Sequence, residues 1–267
     1  MHMPTTITVT FPLEIKETIL ELLAEDDKGH LALKTCSLVC QEFLPICRKH
    51  IFESIELNHP DDHTVSAPTS PAFERLIRET PKIADYIRKL DYTILTADLN
   101  RSSIQETLKR ISRLEFLSVR FNNWPGLPGL NWSKNPIRPT LLHLLHLPTL
   151  THLKMIGMND FLVSDLIPCV NLKYLDIGVY TSVAAETTIP AIAALPEHSI
   201  QLHGLVGGDR TSTTIMKFFS AQRPDGQPII DFGSLTKITV ALDNPNEALQ
   251  ELFRRCHTLT NAHISCR

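Results

Sequence analysis

The chain carries two hydrophobic rhythms in succession. Over residues 12–52 apolar side chains return every three or four positions, the spacing of helices that hold one side away from water. Pro12 suits the opening turn of a helix, and behind it Ile15, Ile19, Leu22 and Leu23 form an apolar stripe. Asp26, Asp27, Lys28 and Gly29 break the pattern. A second helix is predicted over 31–43, with Leu31, Thr35, Leu38 and Val39 on one stripe and Cys36, Cys40 and Phe43 on an adjoining one. Pro45 starts or kinks a third, which carries Arg48, Ile51 and Phe52. Helices this short and this apolar do not bury all of their surface on one another, so the block is expected to dock onto something else.

Residues 58–71, NHPDDHTVSAPTSP, are polar and proline-rich and read as a linker. Beyond them the rhythm becomes L-x-x-L-x-apolar. It is clearest at 114–119, 150–155, 172–177 and 235–240, and weaker at 87–92, 198–202 and 259–264. The central positions 90, 117, 153, 175, 200, 238 and 262 lie 27, 36, 22, 25, 38 and 24 residues apart, mostly within the range of stacked repeats. Helical patterns at 103–111, 140–147, 160–167, 184–195, 211–222 and 246–255 fall between them. Strand and helix in alternation favour parallel strands with helices behind.

In each strand the apolar positions point one way and the intervening ones the other. A sheet covered on both faces wants both sets apolar. Here the second set is mixed: Lys89 and Asp91, Phe116 and Ser118, His152 and Lys154, Tyr174 and Asp176, Gln201 and His203, Lys237 and Thr239. One sheet face is therefore expected to be open, which suits a recognition surface better than a doubly wound enzyme. The surface expected to meet a protein substrate comprises Lys89, Asp91, Phe116, Arg120, His152, Lys154, Tyr174, Asp176, His203 and Lys237.

Two resemblances attach to these patterns. Residues 11–52 resemble an F-box. Phe11-Pro12-Leu13-Glu14-Ile15, followed by Ile19, Leu20, Leu22 and Leu23, matches the family's Leu-Pro-x-Glu-Ile opening. Leu38-Val39-Cys40-Gln41-Glu42-Phe43 matches its later Val-Cys-x-x-Phe/Trp element. The stretch CSLVCQEFLPICRKHIFESIEL is similar to the F-box of many fungal, particularly mushroom-type, proteins. Phe11 replaces the usual Leu, Phe52 sits where many members carry Trp, and the break at 26–29 is slightly longer than usual. Residues 83–267 resemble degenerate leucine-rich repeats. The repeat's Asn position holds Asn122 in one unit but Met158, Tyr180 and Asp243 in others.

The resemblance implies an α/β chain in three parts: a helical F-box-like domain at 8–57, the linker at 58–71, and at 72–267 an irregular repeat solenoid with parallel strands and helices on its convex side. It also implies a substrate-recognition subunit of a Skp–cullin–F-box ubiquitin ligase. A Skp-type adaptor, and through it a cullin–RING ligase, would be bound by Phe11, Pro12, Ile15, Ile19, Leu38, Val39, Cys40 and Phe43. The same stripes are expected to share the work of core and interface. The alternatives are a protein-interaction scaffold outside the ligase and, more remotely, a divergent α/β enzyme.

Composition narrows the classes. With 26 Lys+Arg, 29 Asp+Glu and a net charge of -3 there is no basic excess for nucleic acid. The start, MHMPTTITVTFPLEI, has neither the basic nor the apolar region of a secretory signal. The apolar run at 141–147 is far short of the roughly 20 residues of a membrane span. Six cysteines without framework spacing suit reduced thiols in the cytoplasm or nucleus. Cys36 and Cys40, with Cys47 and His50 nearby, have ligand chemistry for zinc, but the four-residue spacing favours packing. His143, His146 and His152 have no carboxylate spaced to join them. The stretch 204–212, GLVGGDRTS, lacks the spacing and Lys of a P-loop and reads as a turn before a helix. Catalytic residues, metal and cofactors are expected to be absent. Residues 121–139, with Trp124 and Trp132, form either an insertion packed by its own tryptophans or part of a binding rim. The last strand copy, around Ile264, lacks the polar cap that usually closes a solenoid, so the array is not expected to be closed at Arg267.

Overall fold

The computed structural model describes residues 12–26, 29–39, 41–58, 69–121, 130–184, 196–208, 212–243 and 245–266. The chain divides into two compact units, one ending at Ser54 and the other starting at Ile55. It is an α/β protein with a mostly parallel eight-stranded sheet and, among the described residues, eight α-helices.

The first unit contains α1 (Leu13–Glu25), α2 (Gly29–Val39) and α3 (Phe43–Ile51). Pro12 immediately precedes the first turn of α1, where its missing N–H costs no helical bond. Leu20, Leu33, Ile46 and Cys47 are buried together, with Leu23, Ala24, Cys36, Phe43 and Ile51 packed around them. The break between α1 and α2 needs a glycine: a Cβ on Gly29 would lie 1.6 Å from the Leu23 carbonyl oxygen. Lys16 of α1 pairs with Glu42 just before α3.

The second unit begins with β1 (Ser54–Leu57), whose residues from Ile55 onward belong to it, and α4 (Ser70–Glu79). It continues through β2 (Lys89–Ile94), α5 (Ser102–Leu108), β3 (Phe116–Phe121), β4 (Leu130–Asn131), α6 (Arg138–Leu145), β5 (His152–Ile156), β6 (Met158–Asn159) and β7 (Tyr174–Ile177). It is completed by β8 (Ile200–Gln201), β9 (Gly204–Gly207), α7 (Ser212–Ser220), β10 (Ile230–Asp231), β11 (Lys237–Leu242), α8 (Pro245–Arg255) and β12 (Asn261–Cys266). The main sheet follows chain order, β1-β2-β3-β5-β7-β9-β11-β12, and every pairing from β2 to β12 is parallel. Two short parallel ladders, β4 with β6 and β8 with β10, lie beside it.

Leu90, Leu117, Leu153, Leu175, Leu205 and Ile238 sit opposite one another in register, and all are buried. With the next inward row, among them Tyr92, Val119, Met155, Ile177 and Val240, and buried positions on the helices, they form the core. The residues of opposite parity face outward, and several of them are exposed.

Threonines stitch consecutive strand starts together. Thr151 Oγ1 donates to the Glu115 carbonyl at 3.2 Å, Thr236 Oγ1 to that of His203 at 3.0 Å, and Thr260 Oγ1 to that of Thr236 at 3.1 Å. Thr149 and Thr258 make the same kind of bond to Leu114 and Leu235.

Several expectations are corrected. The strand copy at 198–202 is not a strand of the main sheet: Ile200 and Gln201 pair with β10, and the sheet takes Gly204–Gly207 instead. The GLVGG stretch is thus mainly strand, not a turn. The helix expected at 160–167 is a 3₁₀ turn, Val163–Leu166. The one expected at 184–195 lies almost wholly outside the described residues. The division falls at Ser54 and Ile55, so Ile55, Glu56 and Leu57 go with the sheet-bearing unit; residues 59–68 of the expected linker lie outside the described residues.

Candidate docking surfaces

In the helical unit the buried and the exposed apolar side chains lie on different sides of the same helices. On α1 the inward positions are Leu20, Leu23 and Ala24. Ile15, Ile19 and Leu22, at spacings of four and three, all lie exposed on another side of the same helix. On α2, Leu33 and Cys36 turn to the core, while Leu31, Leu38 and Val39 are exposed, Leu38 to 87 %. Of the residues expected to meet the adaptor, Pro12, Ile15, Ile19, Leu38 and Val39 are open to solvent. Phe43 is packed against the core instead. Phe11 and Cys40 lie outside the described residues.

On the sheet, the outward row nearest the strand starts runs Lys89, Phe116, His152, Tyr174, Gly204, Lys237 in register. The His152 and Tyr174 rings stack with centroids 4.3 Å apart and planes 13° from parallel, and Phe116 lies 6.1 Å from His152. The stack is possible because the next strand carries no side chain in that row. A Cβ on Gly204 would come within 2.6 Å of the Tyr174 ring. The next row runs Asp91, Ser118, Lys154, Asp176, Val206, Thr239. In it Lys154 and Asp176 form an ion pair at 3.1 Å. Together the two rows frame a mainly apolar groove of about 240 Å³, lined by Phe116, His152, Lys154, Tyr174, Asp176, Gly204, Val206 and Lys237 among others.

Most of the expected surface residues thus meet on one face. His203 does not line the groove. It precedes β9, is half-buried, and meets Tyr174 edge-on at 6.4 Å. Arg120 is half-buried in a third row opposite Thr93 and Ile156. Gly204 and Val206 were missed because their strand was assigned five residues too early. The alternating Gly-Leu-Val-Gly pattern is the signal that marks them.

Burial, with a smaller contribution from the nearby Lys89 ammonium, holds the His152 imidazole below its usual pKa of 6.5. The folded chain therefore resists a proton that the unfolded chain accepts. Its contribution to stability should be complete above about pH 6.5 and decline as the pH falls below that value. An NMR titration is expected to give a His152 midpoint below 6.5. A midpoint at or above that value would contradict the ring stack as described.

Burial pushes the Cys169 thiol up to about 12 and the Cys256 thiol up to about 11, which keeps both protonated and weakly nucleophilic near neutral pH. Among the described residues no three His, Cys, Asp or Glu side chains converge as a metal site would require. No helix among them is long and apolar enough to cross a membrane. Trp132 is 2 % exposed and packs edge-on against Phe161 at 4.9 Å, so this part of the 121–139 segment is packing; Trp124 is outside the described residues. No family model matches the chain, and no curated protein matches it.

Proposed function

We propose that the chain is a substrate-recognition subunit of a Skp–cullin–F-box type ubiquitin ligase. Its helical unit docks a Skp-type adaptor, and its sheet, read as an irregular leucine-rich-repeat-like solenoid with helices on the convex side, presents the target. The observation that carries this reading is the exposed apolar surface of Ile15, Ile19, Leu22, Leu31, Leu38 and Val39 on a unit that already has its own core. Apolar side chains concentrated outside a satisfied core are characteristic of a surface that a partner covers. Of the two elements that resemble an F-box, Leu13, Glu14 and Ile15 fall on α1 and Leu38 and Val39 on α2.

The chain's contribution is positional and involves no covalent chemistry. Holding a target on the sheet face while the helices are anchored to the ligase raises the target's effective concentration at the ubiquitin donor.

The combined substitution Pro12→Ala with Ile15→Asp is expected to abolish co-purification of a Skp-type adaptor and a cullin. Both residues are solvent-exposed, so the fold should persist, as circular dichroism can check. Unchanged adaptor capture would overturn the proposal. Adaptor without cullin, in the wild-type chain, would favour a scaffold outside the ligase.

A further inference from the structure

The charges on the sheet face are not arranged at random around the groove. Lys154 and Asp176 neutralise each other within it. Lys89 and Lys237 lie on either side of Phe116, His152 and Tyr174 in one row, and among the described residues neither enters an ion pair. Across the outward rows of the main sheet the bases Lys89, Arg120, Lys154 and Lys237 stand against the acids Glu56, Asp91 and Asp176, although the whole chain has a net charge of -3. The face carries a small cationic excess on an acidic protein, and its exposed unpaired bases are Lys89 and Lys237.

Size restricts the occupant further. Small-molecule sites usually enclose about 300–1,000 Å³, and the groove's volume of about 240 Å³ suits one large side chain better than a whole cofactor. Its walls include the rings of Phe116, His152 and Tyr174, which favour an aromatic guest. With strands about 4.8 Å apart, Lys89 and Lys237 stand about 24 Å from each other, the reach of about seven extended residues. A small molecule seated in the groove would reach Lys237, which lines it, but would not extend to Lys89.

We propose that this row binds an acidic, extended segment of a partner protein. One aromatic side chain sits in the groove against Tyr174, and carboxylates on either side of it reach Lys89 and Lys237. The assignment rests on the reading of this face as the recognition surface and adds the chemical class of its ligand.

The test uses the full chain and three fluorescent nine-residue peptides. One has a central tryptophan with glutamates towards both ends. The second has lysines in place of the glutamates, and the third has glycine in place of the tryptophan. The first is expected to bind at least tenfold more tightly than either control and to weaken as salt is raised. Lys89→Glu with Lys237→Glu, both exposed positions, should reverse the charge preference, and Tyr174→Ala should remove the dependence on tryptophan. Equal binding of the three peptides, no binding of the first, or variants that leave the preference unchanged would overturn the proposal. Adaptor capture measured on the same preparations separates the two claims. Capture without peptide discrimination refutes the groove assignment alone, whereas discrimination without capture refutes the docking role and leaves the groove standing.

Discussion

Asp165→Ala is expected to destabilise the sheet-bearing unit by about 3–4 kcal/mol, the range for removing one member of a buried, hydrogen-bonded ion pair. Asp165 accepts the Trp132 indole N–H at 2.6 Å and binds the Arg138 guanidinium through Nη2 at 2.8 and 2.9 Å and Nε at 3.2 Å. The backbone carbonyl of the same residue lies 2.9 Å from His146 Nε2. Three elements of structure therefore converge on one residue: the segment carrying Trp132, both ends of α6 and the Val163–Leu166 turn. Alanine leaves a fully buried indole N–H without an acceptor. The Arg138 side chain, 26 % exposed, recovers some hydration, which keeps the loss towards the lower end of the range. Asp165→Asn keeps an acceptor for the indole and should cost only about 1–2 kcal/mol. Thermal melts check this, at about 2–4 °C per kcal/mol for a unit of this size. Equal losses for the two variants would show that the charge of Asp165, not its capacity to accept the indole, sets the cost.

A second large effect is expected at Asp98, which is 1 % exposed. Its Oδ2 accepts from Asn58 Nδ2 at 2.9 Å, Ser70 Oγ at 3.0 Å and the Leu95 N–H at 3.3 Å. Asn58 in turn accepts the Ser70 N–H at 3.0 Å and reaches the Thr93 carbonyl at 3.1 Å. Asn58 holds a left-handed backbone, φ 57°, which asparagine tolerates better than most residues. The network ties residue 58 to residue 70, so the polar stretch between them starts and ends at the same buried acid. Asp98→Ala strands three donors at once and should cost about 3 kcal/mol. Asn58→Ala should cost a comparable amount. The double substitution should cost well under the sum, because the two residues share partners. Full additivity in chemical denaturation would show that they are not one network.

The sheet was readable because its signal is local. Each L-x-x-L-x-apolar copy places two side chains inward on one strand, and the centres at 90, 117, 153, 175, 238 and 262 all lie in the main sheet. The copy that failed shows the limit of that signal. Ile200 and Leu202 alternate as a strand should, and both are buried, but their backbone pairs with β10. The true strand has glycine at both ends, and Gly204 is required by a ring on the neighbouring strand that no sequence window contains.

The mixed outward positions gave an open face from alternation alone. The stacking of His152 on Tyr174 and the cancellation of Lys154 by Asp176 depend on register between strands 22 residues apart, which the chain does not announce. In the helical unit the sequence offered one apolar stripe on the first helix and two on the second, and no means of telling which side is buried. The close approach at Gly29 and the packing of Ile46 and Cys47 decide that Leu20 and Leu33 face inward and that Ile15, Ile19 and Leu38 face out. The threonine bonds between strand starts are written in the sequence as Leu-Thr at 150–151, 235–236 and 259–260, at the opposite end of each strand from the repeat's asparagine position.

The central claim is that the exposed side of α1 and α2 is an adaptor-binding surface. Hydrogen–deuterium exchange of the intact chain, with and without a purified Skp-type adaptor, tests it most directly. The account predicts adaptor-dependent protection concentrated in Leu13–Glu25 and Gly29–Val39, unchanged exchange in β5, β7, β9 and β11, and loss of the protection in Leu38→Asp. Identical exchange with and without adaptor, or protection confined to the sheet, would contradict it.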